Sequence, residues 1–99
     1  MKIRLLSVAE TEFSDAAAYY EDIEEELGDR FIDHITRSVE IIKQHPFIGH
    51  LIKDRVRKLP LTQFPHDIIY CLSENEIVIV AIAHQKREPD YWRDRLLEI

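Results

Sequence analysis

The spacing of apolar residues divides the chain into a helical first half and a strand-rich second half. From Ala9 to Leu27, apolar side chains recur every three or four residues, which places them on one face of a helix. A similar series runs from Phe31 to Ile42 and stops before Pro46. Gly28 predicts the end of the first helix, and Asp29 predicts the cap of the second. With only this break between them, the helices are predicted to form a hairpin.

The remaining segments have the short apolar runs that are typical of strands. Four strands are predicted, at Lys2–Ser7, Arg55–Leu59, Asp67–Leu72 and Ile77–Ala83. Every residue of the last run is apolar, as in a strand that is covered on both faces. Residues 45–50 and 73–76 are predicted to be loops. A short final helix, Asp90–Leu97, would be anchored by Trp92.

This order of elements, β-α-α-β-β-β-α, predicts an α+β fold. The helical hairpin would cover one face of a small, mainly antiparallel sheet, with the N-terminal strand before it and the short helix after it. Ninety-nine residues without a Pro-, Gly- or Ser-rich linker predict a single domain over residues 1–99.

Charge is distributed unevenly along the chain, which has a net charge of −6. Residues 1–50 hold five Lys and Arg against eleven Asp and Glu, whereas residues 51–99 hold eight of each. The second half has two cationic clusters, Lys53–Lys58 and Lys86–Arg95. An acidic first half would repel a polyanion, so we expect no direct sequence-specific DNA binding by the chain alone. A local basic groove remains compatible with the pattern.

Several chemical classes lack the residues that they need. The chain has no phosphate-binding glycine loop, no nucleophile elbow and no paired metal-ligand motif, so neither a metal nor a cofactor is expected. The single cysteine, Cys71, is predicted to be a buried apolar residue. No apolar run reaches the roughly 20 residues of a membrane helix, and the N-terminus does not resemble a signal peptide. A cytoplasmic protein without membrane contact is the simplest expectation.

Two groups of residues could carry function. The last strand ends in His84, Lys86 and Arg87, which could bind a phosphate or a carboxylate. Alternatively, His84 bonds to the backbone, Arg87 pairs with a carboxylate and Trp92 fills the edge of the core. In the second group, Arg55 and Arg57 would share one face of a strand and Lys58 would point the other way. A charged edge strand that resists aggregation explains this group equally well.

These residues also resemble a known family, the ParE-type branch of the RelE/ParE toxins, to which plasmid stabilization proteins belong. The resemblance spans nearly the whole chain. It rests on the helical hairpin with Tyr19, Tyr20 and Phe31, and on Pro46-x-x-Gly49, Val56-Arg57, Phe64-Pro65, Ile69-Tyr70 and His84-x-x-Arg87-x-Pro89-x-x-Trp92-x-x-Arg95. His66 departs from the family pattern, in which a Tyr usually follows the Pro, and this puts a target contact at that position in doubt.

The resemblance implies a growth-inhibiting toxin of a type II toxin–antitoxin system, held inactive by a cognate antitoxin. Members like ParE poison DNA gyrase without bond-breaking chemistry of their own. The acidic chain favours that mechanism, so the preferred expectation is that the protein is not an enzyme. The alternative is a RelE-like, ribosome-dependent mRNA endonuclease. A third is a decayed, non-toxic module that only binds its antitoxin.

Each mechanism assigns its own residues. An endonuclease would draw acid–base and cationic groups from Arg57, His66, His84, Arg87 and Tyr91. Contacts with the target or the antitoxin are expected from Arg55, Arg57, Lys58, His84, Arg87, Trp92 and Arg95.

Overall fold

Two helices lie against one face of a five-stranded sheet in the computed structural model, which describes residues 1–99. The helices are α1 (Ser7–Ile23) and α2 (Leu27–Gln44). The strands are β1 (Lys2–Leu5), β2 (His50–Lys53), β3 (Val56–Pro60), β4 (His66–Ser73) and β5 (Glu76–His84), and a 3₁₀ helix, Arg93–Glu98, ends the chain. The predicted α+β class is therefore confirmed. Neither α-helix combines the length and apolarity that a bilayer crossing requires.

The sheet has the strand order β1-β5-β4-β3-β2. All neighbouring strands are antiparallel except β1 and β5, which run parallel. The helical hairpin connects β1 at one edge of the sheet to β2 at the other. The apolar run of β5, Ile77–Ala83, is buried along its whole length, at 6% exposure or less. This confirms the prediction of a strand that is covered on both faces.

Two elements differ from the prediction. The segment after Pro46 was expected to be a loop up to His50, but β2 begins at that residue. Because β2 is a four-residue edge strand with an irregular register, it lacks the alternation that marks a half-buried strand. The final helix begins at Arg93 rather than Asp90, and it is a 3₁₀ helix. The left-handed backbone of Asp90, with φ of 62°, cannot belong to a helix.

The predicted turn between the helices is also wrong in its details. α1 ends at Ile23, and the left-handed residue of the turn is Glu26, with φ of 72°, rather than Gly28. Gly28 already lies in the first turn of α2. The cap comes from Glu21 of the preceding helix, not from Asp29. Its carboxylate accepts the N–H groups of Glu26 and Gly28, each at 3.0 Å, and so satisfies two donors at the start of α2.

Gly28 is needed because the two helices approach each other closely at this point. A Cβ on Gly28 would lie 2.6 Å from the carbonyl oxygen of Ala17 and 2.9 Å from the Cβ of Glu21. The first of these contacts is with backbone, which cannot rotate away as a side chain would. A side chain at this position must therefore separate the helices or displace the capping carboxylate.

We predict that Gly28→Ala destabilises the protein by about 1–3 kcal/mol, because the added methyl group overpacks the helix contact. Equilibrium unfolding in urea measures this change. The sign is diagnostic, since Gly→Ala inside an ordinary helix stabilises it by up to about 1 kcal/mol. An increase in the unfolding free energy would contradict the close approach described above.

Candidate functional site

The outer edge of β5 is only half covered by its neighbouring strand. β1 pairs with β5 from Glu76 to Ile79, and the chain then turns into α1. Beyond the end of β1, two side chains form hydrogen bonds with the backbone of β5. The Glu12 carboxylate accepts the N–H of Ile82 at 3.1 Å, and the Arg95 guanidinium donates to the carbonyl of Val80 at 3.0 Å. These bonds satisfy backbone groups that would otherwise lack partners inside the protein.

Glu12, Tyr91 and Arg95 form one network, which we call the edge clasp. Both terminal nitrogens of Arg95 donate to the two oxygens of Glu12, at 2.8 and 2.9 Å, and the Tyr91 hydroxyl donates to Glu12 at 2.6 Å. The paired side chains are only 15% and 18% exposed. A bidentate pair of this kind is strong and directional.

The clasp also determines how its members titrate. Burial acts to raise the pKa of Glu12, but the hydrogen bonds from Arg95 and Tyr91 outweigh it and bring that pKa below its usual value. Burial, together with the adjacent Glu12 carboxylate, raises the pKa of the Tyr91 hydroxyl. The clasp therefore contains a carboxylate that stays ionised and a phenol that keeps its proton.

A cleft of about 240 Å³ lies beside the clasp, between the sheet and the C-terminal segment. Ile69, Ala83 and Trp92 form much of its apolar lining. Its charged side chains are two cations and three carboxylates: Lys58, Arg87, Asp67, Glu88 and Asp90. His84, Tyr91 and Ile52 also line it. The cleft is thus an apolar pocket with a rim of mixed charge.

Arg87 reaches the cleft because Tyr91 supports it. The guanidinium carbon of Arg87 lies 3.8 Å from the centre of the Tyr91 ring, a close cation–π contact. The backbone N–H of Arg87 donates to the carbonyl of His84 at 2.9 Å, which closes the turn after β5. None of the four ion pairs of the protein includes Arg87, so its charge is available to a partner.

His66 lies in an aromatic environment rather than in the cleft. Its ring contacts Phe31 and Tyr20, and its Nε2 shares a 3.1 Å hydrogen bond with the Tyr20 hydroxyl. His84 is its cross-strand neighbour, with ring centroids 5.0 Å apart. Burial, reinforced by His84, lowers the pKa of His66 from 6.5 to about 4. The ring is therefore neutral at physiological pH. His66 as a whole is 6% exposed.

The cations of the second cluster do not form one groove. Arg55 lies in the turn before β3, so it does not share a strand face with Arg57 as predicted. Arg57 donates to the carbonyls of Phe47 and Gly49. It pairs with Tyr70 in the sheet, whereas Lys58 pairs with Ile69 and lines the cleft. Side chains of successive strand residues point to opposite faces of the sheet, so Arg57 and Lys58 lie on different surfaces.

Of the predicted contact residues, the structure brings Lys58, His84, Arg87 and Trp92 together around the cleft. Arg95 lies in the edge clasp. Trp92 is 3% exposed and contributes to the core as well as to the cleft.

Glu12, the residue that organises the clasp, was not among the functional residues predicted from the sequence. One indication was present: Glu12 lies three residues after Ala9 and four before Ala16, so it occupies an apolar position of the α1 pattern. An acidic residue on a buried helix face needs a partner. Its partner, Arg95, lies 83 positions away, and sequence spacing does not identify it.

The lowered pKa of His66 predicts that the protein loses stability as the pH falls. Its folded pKa of about 4 lies below the unfolded value near 6.5, so the unfolded chain takes up a proton first as the pH falls. The neutral His66 ring contributes roughly 2–4 kcal/mol to the free energy of unfolding. This contribution is complete above pH 6.5 and is lost as the pH falls towards 4. His66→Phe cannot be protonated, and we expect its unfolding free energy to fall less over this window. Equal slopes for both proteins in urea titrations would contradict the assignment.

Comparisons with known proteins agree with this architecture. Residues 3–89 match the family model of the ParE toxin of the type II toxin–antitoxin system parDE. Among solved structures, a chain of the chromosomal ParDE toxin–antitoxin system from P. aeruginosa has the same fold, with a TM-score of 0.74 at 20% identity. The alignment covers 85% of this chain and 95% of that one. No curated protein matches the sequence. Because the family model spans most of the chain, this protein belongs to the ParE toxins of type II toxin–antitoxin systems.

Proposed function

We propose that this toxin inhibits growth by acting on DNA gyrase without bond-breaking chemistry of its own, and that a cognate antitoxin neutralises it by binding the cleft. The gyrase target is what the resemblance to ParE toxins implies. The observation that supports the absence of bond-breaking chemistry is the state of the candidate acid–base groups. Two of them, His66 and Tyr91, are engaged in internal hydrogen bonds with pKa values moved away from neutrality.

General acid–base catalysis requires a group whose pKa is near the working pH and whose atoms reach the substrate. His66 meets neither condition, because it is 6% exposed and its pKa is about 4. The proton of Tyr91 is directed at Glu12, and its pKa is raised. Of the acid–base candidates only His84 remains at the cleft, and its Nδ1 accepts the N–H of Lys86 at 3.1 Å. A single such group is a poor basis for cleaving a phosphodiester, which needs an acid and a base.

The charge around the cleft also favours a protein over a nucleic acid. Its three carboxylates outnumber its two cations, and the whole chain carries −6. Docking on ribosomal RNA requires a surface that replaces the counterions of many phosphates. An apolar lining with charges of both signs is instead typical of a surface for a protein segment, in which charge sets orientation and specificity.

The cleft is concave, so it can receive an extended segment of the antitoxin. Lys58, His84 and Arg87 would contact its polar groups, and Trp92 would contact an apolar side chain. A ribosome-dependent endonuclease is the second candidate. It is favoured by one observation, that the same three residues lie together at one end of the sheet.

Purified toxin should inhibit DNA supercoiling by gyrase at micromolar concentration, while messages in a translating extract stay intact. Electrophoresis of plasmid topoisomers and of labelled messages measures both results. Messages cut at ribosome-bound codons would contradict the proposal, provided that the cutting stops in the double variant His84→Ala, Arg87→Ala. Unchanged supercoiling together with intact messages would indicate the non-toxic, antitoxin-binding module.

Arg87→Ala should weaken the binding of the co-expressed antitoxin about tenfold, because the variant removes an exposed cation and its stacked contact at the cleft. Titration calorimetry at two salt concentrations measures the loss and its electrostatic part. Arg37→Ala is the matched control, since Arg37 is an exposed cation on α2 away from the cleft. Equal affinities for the two variants would place the antitoxin elsewhere.

A further inference from the structure

The loop between α2 and β2 exposes apolar side chains although buried groups hold it in place. Phe47 is 71% exposed and Ile48 is 47% exposed. The side chain beneath the loop is Tyr70, which is fully buried. Its hydroxyl donates to the carbonyl of Pro46 at 2.8 Å and accepts the N–H of Gly49 at 2.9 Å. One buried phenol thus fixes both ends of the exposed turn.

Arg57 holds the same loop from its other side. It donates to the carbonyl of Phe47 at 3.2 Å and to that of Gly49 at 2.9 Å. Its guanidinium carbon lies 5.0 Å from the centre of the Phe47 ring. Gly49 allows this close packing, since a Cβ there would lie 2.8 Å from the Tyr70 ring. The exposed phenylalanine is therefore held in one orientation by its backbone and by a cation.

Burial does not explain this arrangement. Four hydrogen bonds to Tyr70 and Arg57 order a segment whose apolar side chains remain in water. Ordering an exposed aromatic residue in advance reduces the entropy that a partner would lose on binding. Rigid aromatic side chains with a neighbouring arginine are also the usual centres of binding energy in protein interfaces.

Leu51 extends this apolar surface. It is 56% exposed and pairs with Arg57 in the sheet, so it lies on the same face as the guanidinium above Phe47. We call Phe47, Ile48 and Leu51 the knob. The register of β2 shifts between Leu51 and Lys53, and a bulge with a lysine on an edge strand opposes the addition of another strand. Contact at the knob must therefore be made through side chains.

Charge near the knob indicates the character of its partner. The stretch that follows the knob has three cations, Lys53, Arg55 and Arg57, against one carboxylate, Asp54, although the protein is acidic as a whole. Two copies of this surface would bring their cations together, which opposes self-association through the knob. A partner with carboxylates around an apolar pocket would be complementary.

The knob and the cleft are distinct surfaces. Arg57 and Tyr70, which hold the knob, face one side of the sheet, and their chain neighbours Lys58 and Ile69 line the cleft on the other side. The two surfaces also differ in exposure, because the knob side chains are 47–71% exposed whereas Trp92 at the cleft is 3% exposed. Ordered, exposed apolar side chains are suited to contact with a folded protein, whereas a cleft is suited to an extended segment.

We infer that the knob is the surface by which this toxin engages its folded protein target, with Phe47 entering an apolar pocket bordered by carboxylates. The inference rests on the proposed function, in which the toxin acts by binding a protein.

The test compares Phe47→Ala with Leu97→Ala, which removes an 87% exposed apolar side chain far along the chain from the knob. Three properties are measured: binding to purified DNA gyrase, growth inhibition on induction, and binding to the co-expressed antitoxin. We expect Phe47→Ala to weaken gyrase binding at least tenfold and to relieve growth inhibition. We expect its antitoxin affinity to be unchanged, and Leu97→Ala to behave as the wild type throughout.

The outcomes separate the inference from the proposed function. If Phe47→Ala binds and inhibits like the wild type, the knob does not engage the target. If it loses antitoxin affinity but stays toxic, the knob serves the antitoxin and the inference is overturned. If wild-type toxin arrests growth without binding gyrase, and Phe47→Ala does not arrest growth, then the gyrase assignment fails and the knob stands. A wild-type protein that leaves growth unaffected would overturn both.

Discussion

The unpaired half of the β5 edge is the constraint on which the rest of this structure depends. A buried strand must satisfy its backbone groups, and β1 is too short to reach beyond Ile79. The edge clasp solves this problem with side chains from both ends of the chain, Glu12 from α1 and Arg95 from the terminal 3₁₀ helix. Because Tyr91 joins the clasp, the segment that carries Arg87 and Trp92 is held beside the sheet, and the cleft exists as a consequence.

This arrangement connects stability with function. Glu12, Tyr91 and Arg95 bond to one another, so Tyr91, one of the candidate acid–base groups, is engaged in holding the fold together. The aromatic environment of His66 has a similar effect, since it keeps that ring neutral. What the protein leaves at its surface are features suited to recognition: a stacked arginine beside a concave cleft, and an ordered aromatic loop on the opposite face. A toxin that works by binding needs surfaces of this kind.

The parts that were predictable from sequence are those that depend on local periodicity. The helical hairpin and the buried run of β5 follow from apolar spacing, and residues at the end of β5 line the cleft. The cap of α2 was missed because Glu21 reaches forward past a turn that local rules assign to Gly28. The clasp was missed because Glu12 and Arg95 meet only after the whole chain has folded. Strand alternation predicted the separation of Arg57 from Lys58, but the bonds of Arg57 to the loop at Phe47 and Gly49 depend on tertiary contacts.

Hydrogen exchange at the Ile82 amide tests the role of the clasp most directly. In the wild type this amide donates to Glu12, and we expect it to exchange as slowly as the interior amides of β4. In Glu12→Ala, its exchange should accelerate at least about tenfold more than that of the β4 amides, because the edge opens locally. If all these amides accelerate by one common factor, the variant has only lowered global stability, and the edge of β5 does not depend on the clasp.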